Sequence, residues 1–184
     1  STMWGVYIFA GAAGSSMSLT VLVISALRKA GYLRETVTIE HYHFMGNWML
    51  AFTVFWAYIG FSQYMLIWYA NIPEETEYFI LRNTESWNVL SIILMVGRFF
   101  IPFALLLLRA TKTKPEKLCL LAGWVVCMQL LDMYIVIMPE LHRSGVHFSI
   151  IDLVPLVGIG ASLACGFLQL VGKSSLFLLR DPSV

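Results

Sequence analysis

Apolar residues in this chain neither alternate nor keep to narrow stripes. They come in five long runs, at about Gly5–Leu27, Phe44–Tyr69, Trp87–Leu108, Leu118–Met138 and Phe148–Val171. About 20 residues rising 1.5 Å each cross a hydrocarbon core of about 30 Å, so every run is long enough to span a bilayer as a helix. A strand-built barrel would show alternating segments of about ten residues instead. The pattern predicts an all-α polytopic membrane protein, residues 1–184 forming one domain with five transmembrane helices in a bundle. The first run is too long for a signal peptide and lacks a basic leader, and the opening at Ser1 without Met suggests a piece of a longer chain.

Composition narrows the function classes. Residues of the hydrophobic set make up 59% and charged residues 12%, against about 45–50% and about 25% in soluble domains. A soluble enzyme, a nucleic-acid binder and a disordered segment are excluded. The net charge of +1 carries no bulk signal, but the placement of the charges does. Arg28, Lys29, Arg34, Arg109, Lys112, Lys114, Lys117, Lys173 and Arg180 fall on one side of the predicted spans, and only Arg82 and Arg143 on the other. The positive-inside rule puts the N-terminus outside and the C-terminus in the cytoplasm, and five spans require opposite sides. Cys119, Cys127 and Cys165 lie in apolar runs without metal or disulfide spacing and read as buried thiols.

The polar residues inside the runs carry the candidate chemistry. Small residues at Gly11, Gly14, Ser15, Ser18 and Ser25, and at Gly158, Ser162 and Gly166, predict close helix packing. In the third run Asn88, Ser91, Met95, Arg98 and Pro102 are spaced to share one face. Arg98 lies eleven residues past Trp87, roughly 16 Å deep, where an Arg costs about 2.5–3.5 kcal/mol unless it faces the protein or water. Asp132, about 9 Å below the outer end of the fourth run, is its expected partner. Asp152, at the start of the fifth run and ahead of a first-turn Pro155, is the alternative.

At the inner end of the second run stands Glu40-His41-Tyr42-His43. Imidazole titrates near neutral pH, so Glu40, His41 and His43 are proton-transfer candidates together with Asp132 and Asp152. Interfacial residues ending a helix are the plainer alternative. All four His lie at helix ends or in loops, so none is placed to ligate haem within the membrane. No Cys motif suits an iron–sulfur cluster. No cofactor or metal is therefore expected on this chain.

Three stretches carry a resemblance: Glu40–His43, Phe52–Tyr64 (FTVFWAYIGFSQY) and Trp68–Glu75 (WYANIPEE). With Gly97–Phe103, Leu131–Tyr134, Met138-Pro139 and the closing Arg180-Asp181-Pro182, they resemble the C-terminal half of the ActF-type, NrfD-like membrane subunits of bacterial alternative complex III. Phe44 and Arg98 stand where that family commonly carries an acidic residue and a His. The resemblance implies a subunit of about ten spans in the bacterial inner membrane, with a scaffold role and a proposed proton path. It implies a complex that oxidises quinol and passes electrons to a cytochrome c or an oxidase. The implied partners are a sister NrfD-like subunit, an iron–sulfur protein and multihaem cytochromes, which hold the quinol, iron–sulfur and haem groups. A purely structural membrane subunit and a fragment of a secondary transporter remain as alternatives. Pro102 and Pro155, expected near helix ends, give a transporter no helix broken at mid-depth.

Overall fold

The structure, a computed structural model, describes residues 3–33, 36–143, 145–146 and 149–173. Arg34, His147, Phe148 and Arg180-Asp181-Pro182 lie outside the described residues. Among those described there is no strand. The helices are α1 (Met3–Lys29), α2 (Ile39–Ala70), α3 (Pro73–Arg82), α4 (Glu85–Leu94), a π-helical segment (Met95–Phe100), α5 (Ile101–Leu107), α6 (Arg109–Lys112), α7 (Pro115–Leu141) and α8 (Ile150–Lys173). Five stretches are long and apolar enough to cross a membrane: Met3–Lys29, Ile39–Ala70, Ser86–Leu107, Pro115–Leu141 and Val154–Lys173. The chain divides into two compact units, Ser1–Val146 and His147–Val184.

In the first unit α1 packs against α2 and α7. Its buried face is Tyr7, Ala10, Gly11, Gly14, Ser18, Val21 and Ser25. The small residues are there because the neighbours come close: a Cβ on Gly11 would lie 2.8 Å from Gln129 Oε1. Helices in lipid gain by such approach, since burial of apolar surface gives no drive there.

Helix α2 begins at Ile39, not at Phe44. The amide and hydroxyl of Thr38 lie 3.2 and 2.8 Å from His41 Nδ1, so His41 helps to start the helix. It ends where Asn71 takes a left-handed φ of 49°, a conformation Asn tolerates. The stretch after it, between the second and third predicted runs, is a helix, α3. Pro73 at its first position, Glu74 and Glu75 in its first turn and Arg82 in its last all suit the helix ends and dipole.

The third span is not a regular α-helix. Its middle, Met95–Phe100, is π-helical, and the amide of Ile101 bonds back to the Val96 carbonyl. A π turn accommodates one extra residue. At about 100° per residue, Trp87 and Leu106 would point about 100° apart in an uninterrupted helix, and the extra residue restores their alignment. Both are fully buried. The polar face expected from regular spacing is accordingly corrected. Asn88 and Met95 are exposed, Ser91 is half-buried, and Arg98 and Pro102 share the interior with Trp87, Leu94, Gly97 and Leu106.

Two apolar clusters fill the unit. One holds Val21, Tyr42, Met49, Leu106, Leu118, Leu121 and Val125. The other holds Tyr7, Trp56, Ile59, Leu94 and Ile135. Beyond the first cluster, where α1 ends and α2, α6 and α7 meet, lie Arg28, Lys29, Arg109, Lys112, Lys114 and Lys117. At the opposite end Arg143 meets Glu77 at 3.5 Å and Glu140 at 3.6 Å, all three exposed; such pairs contribute little.

The second unit is α8. Ser149 donates its amide to Asp152 Oδ2 at 3.2 Å, which makes Asp152 part of the helix start. Pro155 lies in the second turn rather than the first. Gly158, Ser162 and Gly166, expected to pack, have no neighbouring helix within this unit. The thiols of Cys127 and Cys165 are exposed and that of Cys119 half-buried, correcting the expectation that all three are buried.

Candidate functional site

A buried polar cluster occupies the middle of the first unit. Asp132, 1% exposed, lies nine residues before the end of α7, about 14 Å along the helix. Because α7 runs on to Leu141, Asp132 sits deeper than its distance from Met138 implied. Tyr7 of α1 donates its hydroxyl to Oδ1 at 2.5 Å. Trp56 of α2 donates its indole N–H to Oδ2 at 3.0 Å. Arg98, 4% exposed, brings Nε to 3.7 Å from Oδ2. Four spans thus meet at one carboxylate.

The Arg98–Asp132 contact is an ion pair without a hydrogen bond, and Arg98 Nε has no hydrogen-bond partner. The terminal nitrogens of the guanidinium turn elsewhere. They donate to Gln129 Oε1 and, at 3.3 Å, to the Val125 carbonyl. The Trp56 ring lies 4.8 Å from the guanidinium carbon, within range of a cation–π attraction. The cluster is a cage of donors around one anion and of acceptors around one cation. In a low-dielectric site that arrangement is stable only when complete.

Two prolines inside spans have each been given a donor. In the π register Pro102 would bond to the Gly97 carbonyl, but it has no N–H. Trp124 Nε1 donates to that carbonyl at 2.7 Å. Pro139, inside α7, likewise leaves the Ile135 carbonyl without its usual partner. Arg82 of α3 reaches in with Nε on Ile135 O at 3.0 Å and Nη2 on Val136 O at 2.8 Å. Its Nη1 donates to the Tyr78 carbonyl, and the guanidinium stacks 3.4 Å over the Tyr78 ring. Burial pushes the Tyr78 hydroxyl up to about 12, with Arg82 opposing it. No water is available in hydrocarbon to fill such gaps, so protein donors must do so. Trp124→Phe keeps the ring and removes the donor. A loss of about 1–3 kcal/mol is expected, read as a lower Tm of the purified protein in detergent; an unchanged Tm would show that the Gly97 carbonyl finds another donor.

On its outer side the cluster borders a cleft of about 800 Å³. The walls are aromatic and aliphatic, among them Tyr58, Phe61, Phe79, Met95 and Phe99, and Asp132 and Arg82 reach its floor. At the outer end of α2, Trp68 and Tyr69 are exposed.

Of the other sequence candidates in this unit, Glu40, His41 and His43 are not brought to this cluster. They lie within the first five residues of α2. From His43 to Trp56 is about 20 Å along the helix. Met49, Leu106, Leu121 and Val125 of the first apolar cluster fill the interior over that length. His43 Nδ1 faces Asn47 Nδ2 at 3.4 Å. Asp152 belongs to the second unit. Sequence reasoning missed Tyr7, Trp124, Arg82 and Gln129's contact with Arg98. The available signal was that Pro102, a proline inside a predicted span, calls for a donor; Pro139 lies just past the predicted end at Met138 and gave none.

Among the described residues no group of three or more His, Cys, Asp or Glu is arranged to hold a metal ion. Compared with protein-family models and with curated protein sequences, the chain matches none.

Proposed function

We propose that this chain is a scaffold subunit of a bacterial quinol-oxidising respiratory complex of the alternative complex III type. It lies in the inner membrane beside a sister NrfD-like subunit, an iron–sulfur protein and multihaem cytochromes. The supporting observation is a coincidence of residues. Trp56, Pro102, Asp132 and Pro139, which carry part of the resemblance, are also residues of the buried cluster and of the two proline sites. They hold the spans together at mid-depth, as a scaffold requires. The basic end faces the cytoplasm on the positive-inside rule, with the first span entering from outside. Redox groups and the quinol belong to the partners in this reading.

A proton path is the second reading. It is favoured by Asp132 touching both Tyr7 and the cleft. Entry at Glu40, His41 and His43 would then need water across the apolar layer around Met49 and Leu106. The test is His41→Ala with His43→Ala in the assembled complex in vesicles. Unchanged proton-to-electron stoichiometry removes these residues from any path.

The scaffold reading is tested by mild-detergent purification of the tagged protein. Multihaem cytochromes and an iron–sulfur protein should co-purify, and the isolated chain should show no stoichiometric haem absorbance. A lone oligomer, or a Soret band from the chain alone, would overturn it.

A further inference from the structure

The basic end of the first unit contains a buried cation that no described carboxylate neutralises. Lys112 is 8% exposed. Its stem lies on Gly46, where a Cβ would come within 2.6 Å of Lys112 Cγ. Its ammonium donates to Asn47 Oδ1 at 2.8 Å. Among the described residues no carboxylate forms an ion pair with it. An ammonium has three donors and one charge; among the described residues a single neutral acceptor meets it. Removing such a charge from water without a counter-ion is costly, so an anion is the missing component.

The surroundings say which anion. Asn47 and His43 are one turn apart on α2, and that face continues through Ala51, Val54 and Tyr58, the last three exposed. Val54 and Tyr58 line the 800 Å³ cleft. From Asn47 the stripe therefore passes from polar to apolar along α2: about 10 Å to Val54, within one leaflet, and about 16 Å to Tyr58, near the midplane. A hydrocarbon core of about 30 Å gives each leaflet about 15 Å. A phosphate at Lys112 would thus direct an acyl chain along Ala51 into the cleft.

We propose that this groove binds an anionic phospholipid. Its phosphate rests on Lys112, Asn47 and His43, and one acyl chain fills the aromatic cleft. Arg109 and Lys114 at the same end favour an anionic over a zwitterionic headgroup. The inference is independent of any respiratory role.

The test uses the whole chain extracted in mild detergent and offered equal amounts of dioleoyl phosphatidylglycerol and phosphatidylcholine. Native mass spectrometry should show phosphatidylglycerol retained about fivefold more, the value of one basic side chain near a lipid surface. Lys112→Met should abolish the preference, and Lys117→Met, at an exposed position, should preserve it. A second measurement needs no variant. Phosphatidylglycerol carrying a photoreactive group near the end of one chain should label Val54, Tyr58 or Phe61 in the wild type, and excess unlabelled phosphatidylglycerol should suppress the labelling. Equal retention of both lipids, or equal loss of preference in the two Lys variants, would overturn the proposal. So would labels spread over the whole lipid-facing surface. Labelling displaced by a short-chain quinone analogue but not by phosphatidylglycerol would give the cleft to a quinone instead.

Discussion

Asp132→Ala should lower the yield of folded protein more than any other single carboxylate change in the chain. The substitution removes the acceptor for Tyr7 and Trp56 and the counter-charge of Arg98 at once. Breaking a buried pair from one side costs about 3–5 kcal/mol, because the remaining charge stays buried. A second variant separates this from loss of packing. Arg98→Met with Asp132→Leu removes both charges, and it should unfold at a higher temperature than Asp132→Ala alone. That expectation follows from the same asymmetry: an apolar replacement of a whole pair is often neutral, whereas half a pair is not. Asp132→Asn should fall between, since it keeps one acceptor oxygen and leaves Arg98 without a counter-charge. Thermal unfolding in detergent and abundance in membranes are the measurements. If Asp132→Ala leaves both unchanged while Asp152→Ala abolishes assembly, the wrong carboxylate has been placed at the centre of the fold.

Arg82→Met should be the next most damaging change, although Arg82 lies outside the predicted spans. Its guanidinium serves the carbonyls of Ile135 and Val136 beside Pro139, and the Tyr78 carbonyl. Hydrogen bonds from a charged donor contribute about 1.5–3 kcal/mol each, and an orphaned buried carbonyl adds its own desolvation cost. A loss of about 3 kcal/mol is expected, less than the sum because the carbonyls share one donor group. Arg82→Lys should recover only part of it, since a single ammonium cannot reproduce the planar fork. The diagnostic partner is Pro139→Ala, which restores the N–H that Ile135 lacks. In that background the cost of Arg82→Met should shrink. Equal costs with and without the proline would separate Arg82 from Pro139 and leave it as a lid over Tyr78.

The second prediction shows why some of the site could be read from sequence and some could not. Arg98 announced itself: a guanidinium within an apolar run has to turn inward, wherever the neighbours lie. Asp132 as a candidate partner followed from depth alone. Arg82 and Pro139 carried no such signal, because they are 57 positions apart and meet only when α3 folds back over α7. Tyr7 is 125 residues from the carboxylate it contacts. Its hydroxyl could equally have belonged to an interfacial ring.

The spans and the segregation of basic residues to one end are local quantities. They depend on how many consecutive residues are apolar and where the charges interrupt them, so the linear sequence determined them with end errors of a few residues. The faces depended on regular helical spacing, and there the tertiary structure decided. The π segment at Met95–Phe100 adds a residue to one turn and re-aims everything beyond it. Leu106 thereby stays in line with Trp87, while Asn88 and Met95, which do not lie beyond the segment, are exposed. The division into two units, the donors supplied to Pro102 and Pro139, and the single neutral partner of Lys112 also belong to the tertiary level. The physical reason is common to them. In hydrocarbon every polar group needs a partner from the protein itself, and which side chain supplies it is settled only when separate spans come into contact.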